Sequence, residues 1–305
     1  FFSNGIKTSF NGIIKNTNSI GSNSAVYKNT PQSELISIYK YNISLPLAKN
    51  TENYVNKLTP RLSFIASPHD MKNNSETGRT INVDNVFSID RLGLGNSFEA
   101  GQSLVLGIDF TKEKLNTQMV DGIKLIEIEK YFDFKLATSL KFAEEENVPI
   151  NSTLNRKKSN VFGRVEFNPN KDILIKYDFS LTDNLARFED NTLDLEFNFD
   201  NFTSSFQYRE LSGLLGNSNS VGNTTKYNFN EFNSLSFSTR RNREINLTEY
   251  YDLVYEYKND CLIADVKYRK DYYNSADIKP KEELFFSITI VPFYTYSPDK
   301  MILNK

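Results

Sequence analysis

Two period-2 alternations stand on either side of the single cysteine, Cys261, and they constrain the chain more than any motif in it. Tyr251, Leu253, Tyr255 and Tyr257 are aromatic or apolar, with Asp252, Glu256 and Lys258 on the intervening face. After Cys261, Leu262, Ala264, Val266 and Tyr268 alternate with Asp265, Lys267, Arg269 and Asp271. A period of two puts alternate side chains on opposite faces of a β-strand. One face is densely charged and the other is apolar and ends in tyrosines, which is the pattern of transmembrane barrel strands. A large soluble sandwich with one wet face also alternates, but it calls for fewer inward charges and no fixed loop asymmetry.

The same alternation recurs along the chain. Ile173, Ile175, Tyr177, Phe179 and Leu181 alternate with polar positions that only Leu174 interrupts, and Leu193, Leu195, Phe197 and Phe199 alternate with Asp194, Glu196, Asn198 and Asp200. Strands are predicted at about 5–16, 33–47, 54–67, 101–113, 123–134, 159–168, 172–183, 191–200, 202–211, 226–232, 234–241, 248–258, 261–273 and 283–294. Long polar loops are predicted at 17–32, 68–98, 135–158, 212–225 and 274–282, against tight turns such as Asn168-Pro169-Asn170-Lys171, Asp200-Asn201 and Asn259-Asp260. Short connections on one side and long ones on the other match an outer-membrane barrel, with turns toward the periplasm and loops outward. Pairing Phe167 with Ile173 across the first of these turns sets Gly163 opposite Tyr177, where a ring can cover it, and Arg164 opposite Lys176. The fold class expected is all-β: an antiparallel transmembrane β-barrel, here about 14 strands.

Size and composition agree. A chain of 305 residues can close a medium barrel as one domain. Hydrophobic residues make up 39 %, and no run approaches the ~20 apolar residues of a spanning helix. With 36 basic and 38 acidic residues there is no case for a nucleic-acid partner. Tryptophan is absent, so 17 Tyr and 24 Phe must supply any interfacial girdle. The chain starts at Phe1, with no initiator Met or signal segment, and is expected to be a mature piece or an internal fragment.

Catalytic constellations are scarce. His69 is the one histidine and sits in a Pro-flanked polar loop, which leaves little from which to build a serine relay or a multi-histidine metal site. Carboxylate pairs such as Asp194/Glu196 and Glu127/Glu129 recur on many strands, which fits a polar interior better than an acid–base centre. Gly93 and Gly95 have no helix after them to make a phosphate-cradling loop. The expectation is no enzyme, no metal and no cofactor.

Two blocks resemble the LPS-assembly protein LptD family. The first runs through Leu58-Thr59-Pro60-Arg61-Leu62, Ser67-Pro68, Val83-Asp84-Asn85-Val86-Phe87-Ser88-Ile89-Asp90-Arg91 and Glu99-Ala100-Gly101-Gln102-Ser103-Leu104. The second is Tyr255-Glu256-Tyr257-Lys258-Asn259-Asp260-Cys261-Leu262 followed by Tyr268-Arg269-Lys270-Asp271-Tyr272-Tyr273. The resemblance implies that 1–305 is the C-terminal portion of a larger outer-membrane barrel, without its upstream strands and periplasmic domain. It implies insertion of lipopolysaccharide into the outer leaflet of the cell outer membrane through a lateral seam. The implied partners are an LptE-like lipoprotein plug, a periplasmic LPS-transport bridge and the barrel-assembly machinery.

Residue roles follow from the same resemblance. Cys261 becomes a candidate for a long-range disulfide to an upstream cysteine, although the family typically has two adjacent cysteines at this turn and only one is present here. Asn85, Phe87 and Arg91 become a lock on a long extracellular loop that folds toward the barrel, with Arg91 meeting either acidic wall residues or a phosphate. The final strand, Leu284 to Phe293, becomes one lip of the seam, with Leu284, Phe286, Ile288 and Ile290 outward and Pro292 weakening the ladder near its end. The alternative function is a free-standing outer-membrane channel or uptake barrel of about 14 strands.

Overall fold

The computed structural model describes residues 5–22, 29–120, 123–213, 216–272, 279–291, 294–296 and 301–302. Strands follow one another almost without interruption: β1 Lys7–Ser19, β2 Gln32–Ser44, β3 Leu47–Asn50, β4 Tyr54–Ser67, β5 Gly101–Val120, β6 Ile123–Lys141, β7 Val161–Asn170, β8 Ile173–Leu181 and β9 Phe188–Phe199. They continue as β10 Phe202–Gly213, β11 Gly216–Asn228, β12 Asn233–Asn242, β13 Leu247–Lys258, β14 Leu262–Asp271, β15 Lys281–Ile290, β16 Tyr294–Tyr296 and β17 Met301–Ile302. Among the described residues the one helical element is the short turn Ile150–Ser152, and no helix is long and apolar enough to cross a membrane. The fold is all-β, and the neighbouring strands within each unit pair antiparallel.

The chain divides into two compact units, Phe1–Val165 with Asp178–Glu189 and Gly213–Leu215, and Glu166–Tyr177 with Asp190–Ser212 and Gly216–Lys305. In the first unit β4 pairs with β5 over its full length, and β5 and β6 form a long hairpin interrupted by a bulge at Lys112/Glu113. Its apolar residues divide between two faces. Ile36, Ile38, Ile65, Val105, Ala137 and Phe162 point inward and are buried against Met71, Ile81, Val83, Val86, Phe87, Leu92, Leu94 and Phe98 of loop 68–100. Phe10, Ile14, Leu35, Leu106 and Ile128 point the other way and are exposed. The core therefore lies between a strand wall and a loop, not between two sheets.

The second unit is polar inside and apolar outside. Tyr251, Leu253 and Tyr255 of β13, Val266 of β14, and Phe286, Ile288 and Ile290 of β15 are exposed, whereas Asp252 and Glu283 are only 8 % and 3 % accessible. The inner charges are paired: Lys267 and Arg269 reach Asp252 at 3.0 and 3.5 Å, and Lys226 reaches Glu256 at 3.2 Å. A protein in water buries grease and exposes charge. A continuous apolar exterior over several paired strands is what a lipid-facing sheet requires.

The structure moves several predicted elements. Segment 212–225, expected as a loop, lies largely within β11. Its sequence has only Val221 and Tyr227 as apolar signals, and it is held by the ladder to β12 and by bonds such as Ser204 Oγ to Thr225 Oγ1 at 2.8 Å. Strand β6 extends to Lys141 and shortens the loop expected from 135. At the β7–β8 hairpin, the ring over Gly163 is Phe179, not Tyr177, and Arg164 bonds the carboxylate of Asp178 at 2.5 Å. Strand β7 runs through Pro169 to Asn170, whose side chain accepts from the Asp172 N–H, so the turn is Lys171–Asp172. Strand β15 starts at Lys281 and ends at Ile290, and β16 and β17 both pair with it, so among the described residues it is not the last strand.

Candidate functional site

Loop 68–100 leaves β4 at Ser67 and returns to β5 at Gly101. It enters β5 through Gly101 with φ at +83°, a backbone conformation that a side chain would strain. That turn sets Glu99 beside the inner face of the strand. There the Arg91 guanidinium donates from Nε to Glu99 Oε2 and from Nη2 to Glu99 Oε1, both at 2.7 Å. Its remaining donors are used on the wall: Nη1 to Ser139 Oγ and Nη2 to Ser103 Oγ, each at 3.0 Å, with Val86 O at 3.4 Å. Lys141 Nζ lies 3.3 Å from Glu99 Oε1 and donates to Ala100 O at 3.1 Å.

The side chains of Arg91, Glu99 and Lys141 are 1 %, 6 % and 2 % exposed. Burial alone would raise the Glu99 carboxyl, but the charge and hydrogen bonds of Arg91, supported by Lys141, outweigh it and hold the group below its ordinary value. Two cations share one carboxylate here, and the hydroxyls of Ser103 and Ser139 occupy guanidinium donors that would otherwise be buried unpaired.

Phe87 marks a second attachment. A Cβ on Gly107 of β5 would stand 2.7 Å from the Phe87 ring and 2.9 Å from Leu136 O, so the ring lies in a space that glycine leaves open. Arg61 sits over the same ring at 4.1 Å while bonding Asp109 at 3.0 Å, and Lys40 donates to Phe87 O. Asn85 shapes the tip. Its Oδ1 accepts from Asn82 N at 2.8 Å, and Asn82 Oδ1 accepts from Asp84 N and Asn85 N at 2.9 and 3.1 Å. The two asparagines thus close a reciprocal turn that presents Asp84 to Arg164 of β7, at 2.8 and 2.7 Å.

The structure therefore places Asn85, Phe87 and Arg91 in one loop, each on a different set of partners. Sequence reasoning did not name the contacts that hold the loop: Glu99, Ser103 and Ser139 around Arg91, Gly107 under Phe87, Lys141 on Glu99, and the Asp84–Arg164 pair. Glu99 and Ser103 stood in a quoted block, eight and twelve residues beyond Arg91, but Ser139 and Lys141 lie in a segment read as a loop. Cys261 is a free, exposed thiol at the β13–β14 turn, where its N–H donates to Asn259 Oδ1 at 2.9 Å. Leu284, Phe286, Ile288 and Ile290 share one face of β15, and Pro292 lies outside the described residues. His69 Nε2 is 3.2 Å from Ser37 Oγ. Among the described residues no cluster of three metal-ligating side chains is found.

A model of the LptD family, described as LPS transport system D, matches residues 14–240, well over half of the chain. No curated protein matches. Among solved structures, a mutant of the Rh. blastica porin shares 7 % identity over 92 % of this chain and 89 % of its own, with a TM-score of 0.38. A triple mutant of the Rhodopseudomonas blastica porin shares 7 % over 96 % of this chain and 92 % of its own, with a TM-score of 0.39. Scores this low carry no structural argument. The family match covers loop 68–100 and every residue that fixes it, and it agrees with the apolar exterior of the strands: the chain belongs to the LptD family and is an antiparallel β-barrel protein of the outer membrane.

Proposed function

We propose that this chain is the C-terminal part of a barrel that inserts lipopolysaccharide into the outer leaflet. The observation that carries the reading is the family match over 14–240, in a chain whose strands have lipid-facing exteriors and charged inner faces. No covalent chemistry is required. The wall supplies a polar surface for the sugar and phosphate groups, and the exterior supplies contact with acyl chains.

In this reading Asn85, Phe87 and Arg91 lock an extracellular loop against the wall, and Glu99 holds Arg91 in place of a ligand phosphate. The apolar face of Leu284, Phe286, Ile288 and Ile290 borders the lateral exit. Cys261, exposed at a turn, is available for a disulfide with a cysteine elsewhere in the full protein. The partners are an LptE-like plug, a periplasmic bridge that delivers the lipid, and the barrel-assembly machinery.

A photoreactive residue at inward Ser236 or at outward Leu253 of the full-length protein, followed by detection of covalently attached lipopolysaccharide, tests the reading. Inward Ser236 is expected to capture the lipid while transport runs and to lose it when the bridge is depleted. Capture of none at either position would instead favour a channel of about 14 strands.

A further inference from the structure

We propose that loop 68–100 has two tiers: a root that stays fixed, and a tip around Asp84 that is latched to Arg164 and can be released. The inference rests on the contacts of the loop itself and holds whether or not the chain handles lipopolysaccharide.

The two attachments differ in what their separation would leave behind. At the root, parting Arg91 from Glu99 would strand a guanidinium 1 % exposed with no second carboxylate, and leave Glu99, 6 % exposed, with Lys141 alone. A buried charge without its partner is strongly unfavourable, so this contact has no accessible open form. At the tip, the Asp84 side chain is already 48 % exposed. When it leaves, Arg164 keeps Asp178 at 2.5 Å, and Lys135, 4.0 Å from Asp84, keeps Asp133 at 3.7 Å. Every wall cation that Asp84 faces has a second carboxylate, and Asp84 itself passes into water. The separated state contains no unpaired buried charge.

The tip is also built to move as a piece. The reciprocal Asn82–Asn85 bonds, Val86 N to Asn82 O at 3.0 Å and Ser88 N to Asn85 O at 2.7 Å are all internal to it. Lifting it breaks none of these. What holds it down besides the latch is apolar burial of Ile81, Val83, Val86 and Phe87, with Lys40 and Arg91 donating to the Phe87 and Val86 carbonyls and Arg61 over the Phe87 ring, so the closed form dominates at rest and the latch sets how often the tip lifts. Release uncovers the Arg61, Lys40 and Arg164 stretch of the wall without disturbing the root.

The test is the rate at which a membrane-impermeant maleimide labels a cysteine placed at Val83, in the tip, or at Leu94, near the root. It uses the full-length protein in its outer membrane, against the same protein without the added cysteine. With Asp84→Asn, labelling at Val83→Cys is expected to rise about fivefold, the factor that a half-exposed ion pair contributes to an opening equilibrium. Labelling at Leu94→Cys is expected to stay unchanged, and Asp84→Glu should keep the parent rate. Raising salt to the point where the screening length is about 3 Å should reproduce the split without any substitution at the latch. If Asp84→Asn does not assemble, the salt comparison decides alone. Equal rates at Val83→Cys with and without the latch, or a parallel rise at both positions, would overturn the proposal.

Discussion

Arg91 and Glu99 lie eight residues apart on one loop and meet through two parallel hydrogen bonds of 2.7 Å in a pocket that solvent barely reaches. The pair does more than join two loop residues. Because the same guanidinium also bonds Ser103 of β5 and Ser139 of β6, the ion pair stitches the loop to two strands at once. A charge this deep has a large desolvation cost, which its four polar partners offset.

Breaking that pair from one side should therefore cost more than removing it. Arg91→Ala is expected to lower stability by about 3–5 kcal/mol, leaving Glu99 with Lys141 alone. Arg91→Met combined with Glu99→Leu and Lys141→Met, which removes all three buried charges together, should recover much of the loss. Arg91→Lys should fall between the two, since a point charge cannot make the paired bonds. Urea unfolding of the barrel in detergent, followed by tyrosine fluorescence, measures all three.

The pH dependence has a defined sign. The ordinary carboxyl value for Glu99 is 4.5, and in the folded protein it lies lower. Above the ordinary value both folded and unfolded chains carry the charge, and the full contribution is present. As pH falls below 4.5, the unfolded chain takes up a proton first, and the contribution is lost progressively until the folded carboxyl also titrates. Protease protection of the loop should thus hold at neutral pH and decline in acid, and Glu99→Gln should flatten that decline.

Phe87 and Gly107 make a steric pair. Gly107→Ala places a methyl 2.7 Å from the ring and 2.9 Å from Leu136 O, so both the ring and the backbone of the paired strand must yield. The substitution is expected to destabilise by about 1–3 kcal/mol through overpacking, and Phe87→Leu in the same chain should relieve part of it. Thermal unfolding of the two single variants and the double variant gives the coupling directly.

Much of this architecture was legible from alternation alone. Strand β4 matches its expected limits of 54 and 67, and the charged and apolar faces around Cys261 are those the sequence alternates. Where the side chains stopped alternating, the reading stopped too. Strand β11 is almost all Asn, Ser, Thr and Gly, and its order comes from main-chain ladders that composition does not reveal. The same limit applied to the site. Arg91 was legible within a motif, but its partner Ser139 and the second cation on Glu99, Lys141, lie some fifty residues away on β6, and only the register of β5 against β6 brings Ser139 opposite Val105 and Lys141 opposite Ser103. The Pro169 turn shows the opposite error: a strong local turn signal placed the hairpin early, and a side-chain turn at Asn170 moved it.

The most direct test of the account is the amount of newly made lipopolysaccharide that reaches the cell surface when the full-length protein is depleted and then resupplied. Surface lipopolysaccharide is expected to fall while the lipid accumulates behind the outer membrane, and to recover with the parent protein but not with Arg91→Ala. Unchanged delivery after depletion, together with loss of small-solute uptake, would contradict it and mark the chain as a channel.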